Sequence, residues 1–156
     1  MIKTNAPLLA VLLLSTTVGL GAEETMEAPA PVRLNADKLA GQGLEGDEPF
    51  PEEMVLSGHS EHSYHTFFSG EEVVVEVYQA APAKLRIDDP WPYDEFIHVL
   101  SGKLVLTDGQ GDVTEYGVGE SLVLPKGFLG TWEMQGDFRE LVVIEKNAYM
   151  AAEESE

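Results

Sequence analysis

Tyr93-Asp94-Glu95-Phe96-Ile97-His98-Val99-Leu100-Ser101-Gly102-Lys103-Leu104-Val105-Leu106-Thr107 reads as two strands, Phe96 to Leu100 and Leu104 to Thr107, around a Ser-Gly turn. A single carboxylate, Glu95, stands at the mouth of the first strand. Downstream, Gly119-Glu120-Ser121-Leu122-Val123-Leu124-Pro125-Lys126-Gly127 reads as its answering strand, closed by a Pro-Lys-Gly turn. The two pieces are expected to form the wall of a small β-barrel.

The rest of the domain has the same texture. From Phe50 on, short apolar runs recur about every ten residues between turn signals, the pattern of a sandwich or barrel. Met54-Val55-Leu56, Tyr64 to Phe68 and the β-branched run Val73 to Tyr78 are the first three. Lys84-Leu85-Arg86-Ile87-Asp88 alternates apolar with charged. Asp89-Pro90-Trp91-Pro92 is a proline-stiffened loop. Asp108 to Asp112 is a hairpin loop. Val113 to Tyr116, Ser121 to Leu124 and Gly130 to Met134 follow. Gln135-Gly136-Asp137 then turns into Phe138 to Glu145, a central strand. The economical architecture is all-β, an antiparallel jelly-roll barrel over residues 51–146.

The flanks differ. Residues 1–22 read as a secretory signal peptide: Lys3 is the basic start, Leu8 to Leu14 the apolar run, and Gly19, Gly21 and Ala22 the small residues. The expected location is periplasmic or secreted, with no stable membrane insertion after cleavage. Residues 23–50 carry acid, proline and glycine without sustained periodicity and read as a flexible linker. A helical turn at Asn35 to Leu39, capped by Asn35, is allowed there. Residues 147–156 read as a frayed acidic tail.

Composition narrows the function. The chain has 156 residues, 28 acidic against 9 basic, for a formal charge of -19. Such a surface repels nucleic acid and anionic membranes. No cysteine is present, so disulfides and thiolate metal sites are excluded.

These motifs resemble a known family. Glu95 followed after six residues by Gly102 is similar to the end of the first cupin motif, and Gly119-x5-Pro125-x-Gly127 to the start of the second. Lys84-Leu85-Arg86, Asp94-Glu95-Phe96, Ser101-Gly102, Thr107-Asp108 and Pro125-Lys126-Gly127-Phe128-Leu129-Gly130-Thr131-Trp132-Glu133 look closer still to the cupins grouped with ureidoglycine aminohydrolase. The likeness runs over about residues 67–145. It implies a cupin jelly roll but does not choose among enzymes, binding proteins and storage proteins. It also implies metal ligands that this chain lacks. Where the family has His-x-His ahead of its glutamate, this chain has Asp89 and Trp91, or Asp88 and Pro90. Where the second motif has histidine, it has Gly130. No cofactor is therefore expected. A divalent metal is conceivable, but Glu95 alone remains of four ligands.

Glu95 is the candidate catalytic group: in the lumen it could act as a general base or hold a polar ligand. Equally, it could be a structural carboxylate paired with Arg86 or Arg139. Trp91, Tyr93 and Trp132 could line an aromatic pocket with Glu95 and Arg86, or simply pack. His59, His62 and His65 are a weak alternative metal site, because spacing of three on a strand alternates faces. His98 falls on the face opposite Glu95 and is expected to point outward. The leading functional expectation is a small polar molecule bound in the barrel. A hydrolase or isomerase of the ureidoglycine aminohydrolase type is one alternative, and a structural or interaction protein with a filled lumen is another. A homodimer is expected, since an all-β domain has edges to cover.

Overall fold

Two long strands build this molecule, each bent into both halves of a barrel. The computed structural model describes residues 28–153, and the candidate signal peptide at 1–22 lies outside them. The unit beginning at Pro31 starts with α1 (Ala36–Leu39), followed by β1 (Glu45–Gly46), β2 (Val55–Gly58), β3 (His62–Ser69), β4 (Val73–Ala80) and β5 (Ala83–Ile87). Then come β6 (Glu95–Asp108), β7 (Val113–Tyr116), β8 (Ser121–Leu124), β9 (Gly130–Glu145) and α2 (Lys146–Glu153). The fold is mostly β, a curled antiparallel sheet, as the strand spacing implied.

The Ser101-Gly102 and Gln135-Gly136-Asp137 turns expected from sequence are not hairpins. They are facing bends inside β6 and β9, which pair from Glu95↔Ile144 to Asp108↔Gly130 with register shifts only around Ser101. Gly102 has φ 70, and a Cβ there would lie 2.5 Å from Gln135 O and 2.8 Å from Phe138 Cα. Only glycine fits so close to the partner backbone. Each long strand thus contributes to two half-sheets. The first runs β2-β5-β9-β6-β7 through the Gly130–Met134 portion of β9. The second runs β1-β3-β4-β9-β6-β8 through the Phe138–Glu145 portion.

Residues directly opposite across antiparallel strands share a face, so the register defines the lumen. Leu85, Trp132 and Leu106 form one inward row, and Ala83, Met134 and Leu104 another. In the second half the rows are Tyr78–Glu140–Val99, Glu76–Val142–Ile97–Leu122 and Val74–Ile144–Glu95–Leu124. Phe138, Ile97, Leu104 and Val99 at their centre are fully buried.

Both flanks are more ordered than the sequence suggests. The 23–50 stretch is not all linker: Asn35 Oδ1 accepts from the amides of Asp37 (2.8 Å) and Lys38 (3.2 Å), capping α1. Further on, Glu45 and Gly46 pair with Tyr64 and Ser63, and Phe50 stacks on His62 at 4.2 Å. The tail from 147 onward is helical as far as Glu153. Glu145 caps α2 by accepting from the amides of Asn147 (3.0 Å) and Ala148 (2.8 Å). Local propensity hides both segments, because tertiary contacts hold each of them. Among the described residues, no helix is long and apolar enough to cross a membrane.

Candidate functional site

Glu95 begins β6 and lies on its inner face, at 5% exposure. Two more acids share the lumen: Glu140 on β9 at 3% and Glu76 on β4 at 7%. They are the only buried charged residue types among the described residues. Taking a carboxylate out of water penalises its ionised form. Burial therefore pushes the Glu95 carboxyl up to about 8, with the Glu76 charge adding to the rise and Trp91 opposing it. Glu140 is held well above the carboxylate range by burial and by the Glu95 charge. Glu76 is raised by burial, partly offset by Thr66 Oγ1, which donates to its Oε1 at 2.6 Å. Tyr78 is pushed upward by burial and by Glu140 and Glu95. At neutral pH, Glu95 is therefore mainly a neutral acid that can donate as well as accept hydrogen bonds, and burial shifts Glu140 in the same direction.

Three polar atoms at this end of the lumen have no hydrogen-bond partner: Trp91 Nε1, Glu95 Oε2 and Glu140 Oε2. The Trp91 indole lies close enough to Glu95 to favour its charged form, but outside hydrogen-bonding geometry. Each unpaired buried polar atom costs about 1–3 kcal/mol.

The aromatic group is present, but its rings cover one another. Trp91 stacks on Trp132 at 5.6 Å and 25°, and meets Tyr93 edge-on at 5.6 Å. Tyr93 meets Tyr149 of α2 at 5.8 Å. The loop carrying Trp91 is clipped to the 125–128 turn by Trp91 N to Phe128 O (3.0 Å) and Gly127 N to Trp91 O (2.8 Å). Asp94 Oδ1 accepts from Lys126 N at 2.9 Å. The expected open pocket is thus a closed aromatic cap beside the carboxyls. Two surface clefts lie elsewhere. One, of about 370 Å³, is lined by Phe50, Glu52 and His59; the other, of about 490 Å³, is lined by His62, Gln79 and Arg139. Neither is lined by Glu95 or Glu140.

Several expected site residues fall elsewhere. Arg86 does not line the lumen: Leu85 and Ile87 take the inner face, so Arg86 points out, 2.7 Å from Asp88 and donating to Glu53 O at 3.1 Å. Arg139 is also on the far face, donating to Gln79 Oε1 at 3.1 Å. Neither arginine pairs with Glu95. His59, His62 and His65 do not converge. His59 is exposed beside Glu61 (3.9 Å), His62 pairs with Asp47 (3.6 Å) between Phe50 and Tyr78, and His65 packs edge-on against Phe67. His98 lies opposite to Glu95 in strand parity, with Nδ1 2.8 Å from Ser121 Oγ. The sequence reading missed Glu140, Glu76, Tyr78 and Tyr149. Parity puts Glu140 on one face of β9 with Phe138, Val142 and Ile144, but only the strand pairing turns that face inward.

The metal that the resemblance implies does not fit these residues. Among the described residues, no three His, Cys, Asp or Glu side chains are grouped to hold an ion. Near Glu95 the neighbours are rings and acids whose ionised forms burial disfavours.

Residues 66–140 match the family model of the EutQ-like cupin domain. Over those residues the chain is similar to a cupin domain. A protein of unknown function from Pseudomonas syringae pv. tomato superposes on this barrel with a TM-score of 0.59 at 17% identity, covering 65% of this chain and 43% of that one. The polyketide cyclase RemF from Streptomyces resistomycificus does so with a TM-score of 0.50 at 20% identity, covering 66% and 74%. At these identities the likeness is one of fold. No curated protein matches the sequence.

Proposed function

We propose that this cupin domain binds a small polar molecule at the capped end of its barrel, with Glu95 and Glu140 as polar contacts and Trp91, Tyr93 and Trp132 as the apolar wall. The observation carrying this reading is three buried, unpartnered atoms, Trp91 Nε1, Glu95 Oε2 and Glu140 Oε2, on residues linked by the influence of Trp91 on Glu95 and of Glu95 on Glu140. Native interiors rarely leave such groups unpaired, and a ligand that pairs them recovers part of their cost. Entry requires the Trp91, Tyr93 and Tyr149 rings to part. The protein is exported, periplasmic or secreted, on the leader pattern of residues 1–22 alone.

A thermal-melting screen of sugars, amides and amino acids at millimolar concentration tests this reading. One class is expected to raise the melting temperature by a few degrees (a ligand at about 100 times its Kd adds about 2.7 kcal/mol). Trp91→Ala and Glu140→Gln should remove the response. If no compound shifts the transition, the lumen-binding reading falls and a filled structural barrel replaces it.

A second reading keeps the same site as an acid–base pair acting on a small nitrogenous or sugar-like compound. It rests on the influence of Glu95 on Glu140, and on the motif likeness to the ureidoglycine aminohydrolase group. A hydrolase or isomerase needs one carboxyl to accept a proton while the other donates. Turnover of a compound found in the screen, abolished by Glu95→Gln, would distinguish it from simple binding.

For the outer face, the partner we propose is a second copy of this chain. Phe68, Val75, Val143, Phe96 and Val123 sit in register across β3, β4, β9, β6 and β8 on the outside of the barrel. Phe96 is 40% and Val123 63% exposed, forming an uncharged row on a strongly acidic protein. Light scattering at tens of micromolar should report a dimer, and Phe96→Glu should convert it to a folded monomer. A wild-type monomer under those conditions would exclude the pairing.

A further inference from the structure

The chemistry of the lumen narrows the ligand class. Its three carboxyls come from three strands, and no basic residue is buried with them. Five of the eight lysines and arginines of the described chain are engaged elsewhere: Lys84 with Glu133 (3.3 Å), Arg86 with Asp88, Lys103 with Glu115 (3.0 Å), Arg139 with Gln79, and Lys146 with Gly70 O (2.7 Å). Burial without a cation favours the protonated form of a carboxyl, and both Glu95 and Glu140 are shifted that way here. The groups facing Glu95 are Glu76 and Tyr78 from β4, Glu140 from β9, Tyr93 from the preceding loop and Tyr149 from α2 next to it, with Asp47 and His62 further along. Apart from His62, which already has Asp47 as an acidic neighbour, none can carry positive charge. The walls are ring faces and edges of Trp91, Trp132 and Tyr93, and the negative faces of such rings attract cations.

Building on the lumen-binding reading above, we propose that the site takes a small organic cation, an ammonium or guanidinium compound, and that Glu95 gives up its proton to solvent as the cation enters. The bound cation supplies the missing counter-charge. Its N–H groups pair with Glu95 Oε2 and Glu140 Oε2, and its carbon framework lies against Trp91. A neutral ligand would leave the three acids as they are and release no proton.

Methylguanidine and methylurea provide the test. They have nearly the same shape and differ in charge, and methylguanidine stays charged throughout the range used. Titration calorimetry would be run at pH 6, 7 and 8, in 0.3 M NaCl to screen the acidic surface, with buffers of different ionisation heat. Methylguanidine is expected to bind, to release about one proton, and to tighten up to roughly tenfold per pH unit until the curve flattens above pH 8. Glu95→Gln, which copies the neutral acid and should fold, is expected to weaken binding and flatten that slope. Methylurea binding as well as methylguanidine, with no pH dependence, would overturn the cation proposal while leaving the lumen-binding reading intact. No binding of either compound would overturn the cation proposal, and a flat melting screen would remove the broader reading as well. Methylguanidine binding that survives Glu95→Gln combined with Glu140→Gln would place the cation on the outer surface and also overturn the proposal.

Discussion

Raising the pH from 5.5 to 9 is expected to lower the melting temperature of this domain by about 10 °C. The cause is Glu95, whose carboxyl sits at about 8 in the folded barrel against an ordinary value of 4.5. A raised folded value means that the native state binds the proton more tightly than the unfolded chain. The resulting stability is fully present below 4.5 and is lost as pH rises through about 8. Between pH 5.5 and 8 the unfolded chain is ionised while the barrel stays protonated, so each unit costs about 1.4 kcal/mol, or about 3 kcal/mol across the window. Glu140, shifted in the same direction, can only deepen the loss. Glu95→Gln keeps the shape of the neutral acid and cannot ionise. It should melt near the wild type at pH 5.5, melt several degrees higher at pH 9, and lose much of the pH dependence. Calorimetric scans of both proteins decide the matter. A flat wild-type profile would mean that Glu95 ionises freely and that its environment is not the one described.

How far the sequence could be read depended on whether a signal was local. Leu85 and Ile87 flank Arg86 and Lys84 in clean alternation, so one face of β5 was legible, and that alternation also removes Arg86 from the lumen. Glu95 was found because its spacing to Gly102 is local. Glu140 and Glu76 were not, because Leu141-Val142-Val143-Ile144 and Val73-Val74-Val75 are apolar on both faces. In such a run parity does not say which side is in, and one step reverses every side chain. Only the pairing of Glu140 with Tyr78 and Val99 settles it. The same limit affects Ser101-Gly102 and Gln135-Gly136-Asp137. A glycine beside a polar residue signals a hairpin and a bulge equally well. The partner strand decides, and here each bend faces the other. The closure of the aromatic cap was not legible either, since Tyr149 reaches Tyr93 from a helix that composition marks as a frayed tail.

Gly130→Ala is expected to be among the most damaging single changes in the protein. Gly130 opens β9 with φ 146, and a Cβ there would lie 1.9 Å from Thr107 O. Ordinary carbon–oxygen contacts are more than 3 Å, so β6 and β9 would have to separate by over 1 Å where Asp108 and Gly130 pair. Those two strands run through both half-sheets, and the displacement would carry to Trp132, two residues along, and to its stack on Trp91. Backbone strain adds a further 1–3 kcal/mol or so, and overpacking typically another 1–3. Together they predict a melting temperature lower by roughly 15 °C or more, or an insoluble product. Gly119→Ala is the control. Its φ of 86 is equally unfavourable for alanine, but nothing lies within 4 Å of the added Cβ. It should cost only the conformational part, about 1 kcal/mol. Near-equal melting temperatures for the two variants would show that the close approach of Thr107 is not a constraint. The same contact bears on the chemistry. Gly130 stands where the cupin pattern would place a histidine ligand, and any side chain there meets Thr107 O before it reaches the lumen. Gly130→His should therefore destabilise the barrel without conferring stoichiometric metal, as elemental analysis would report. This barrel uses that position to bring two backbones together, and the chemistry of its lumen is left to Glu95, Glu140 and the rings above them.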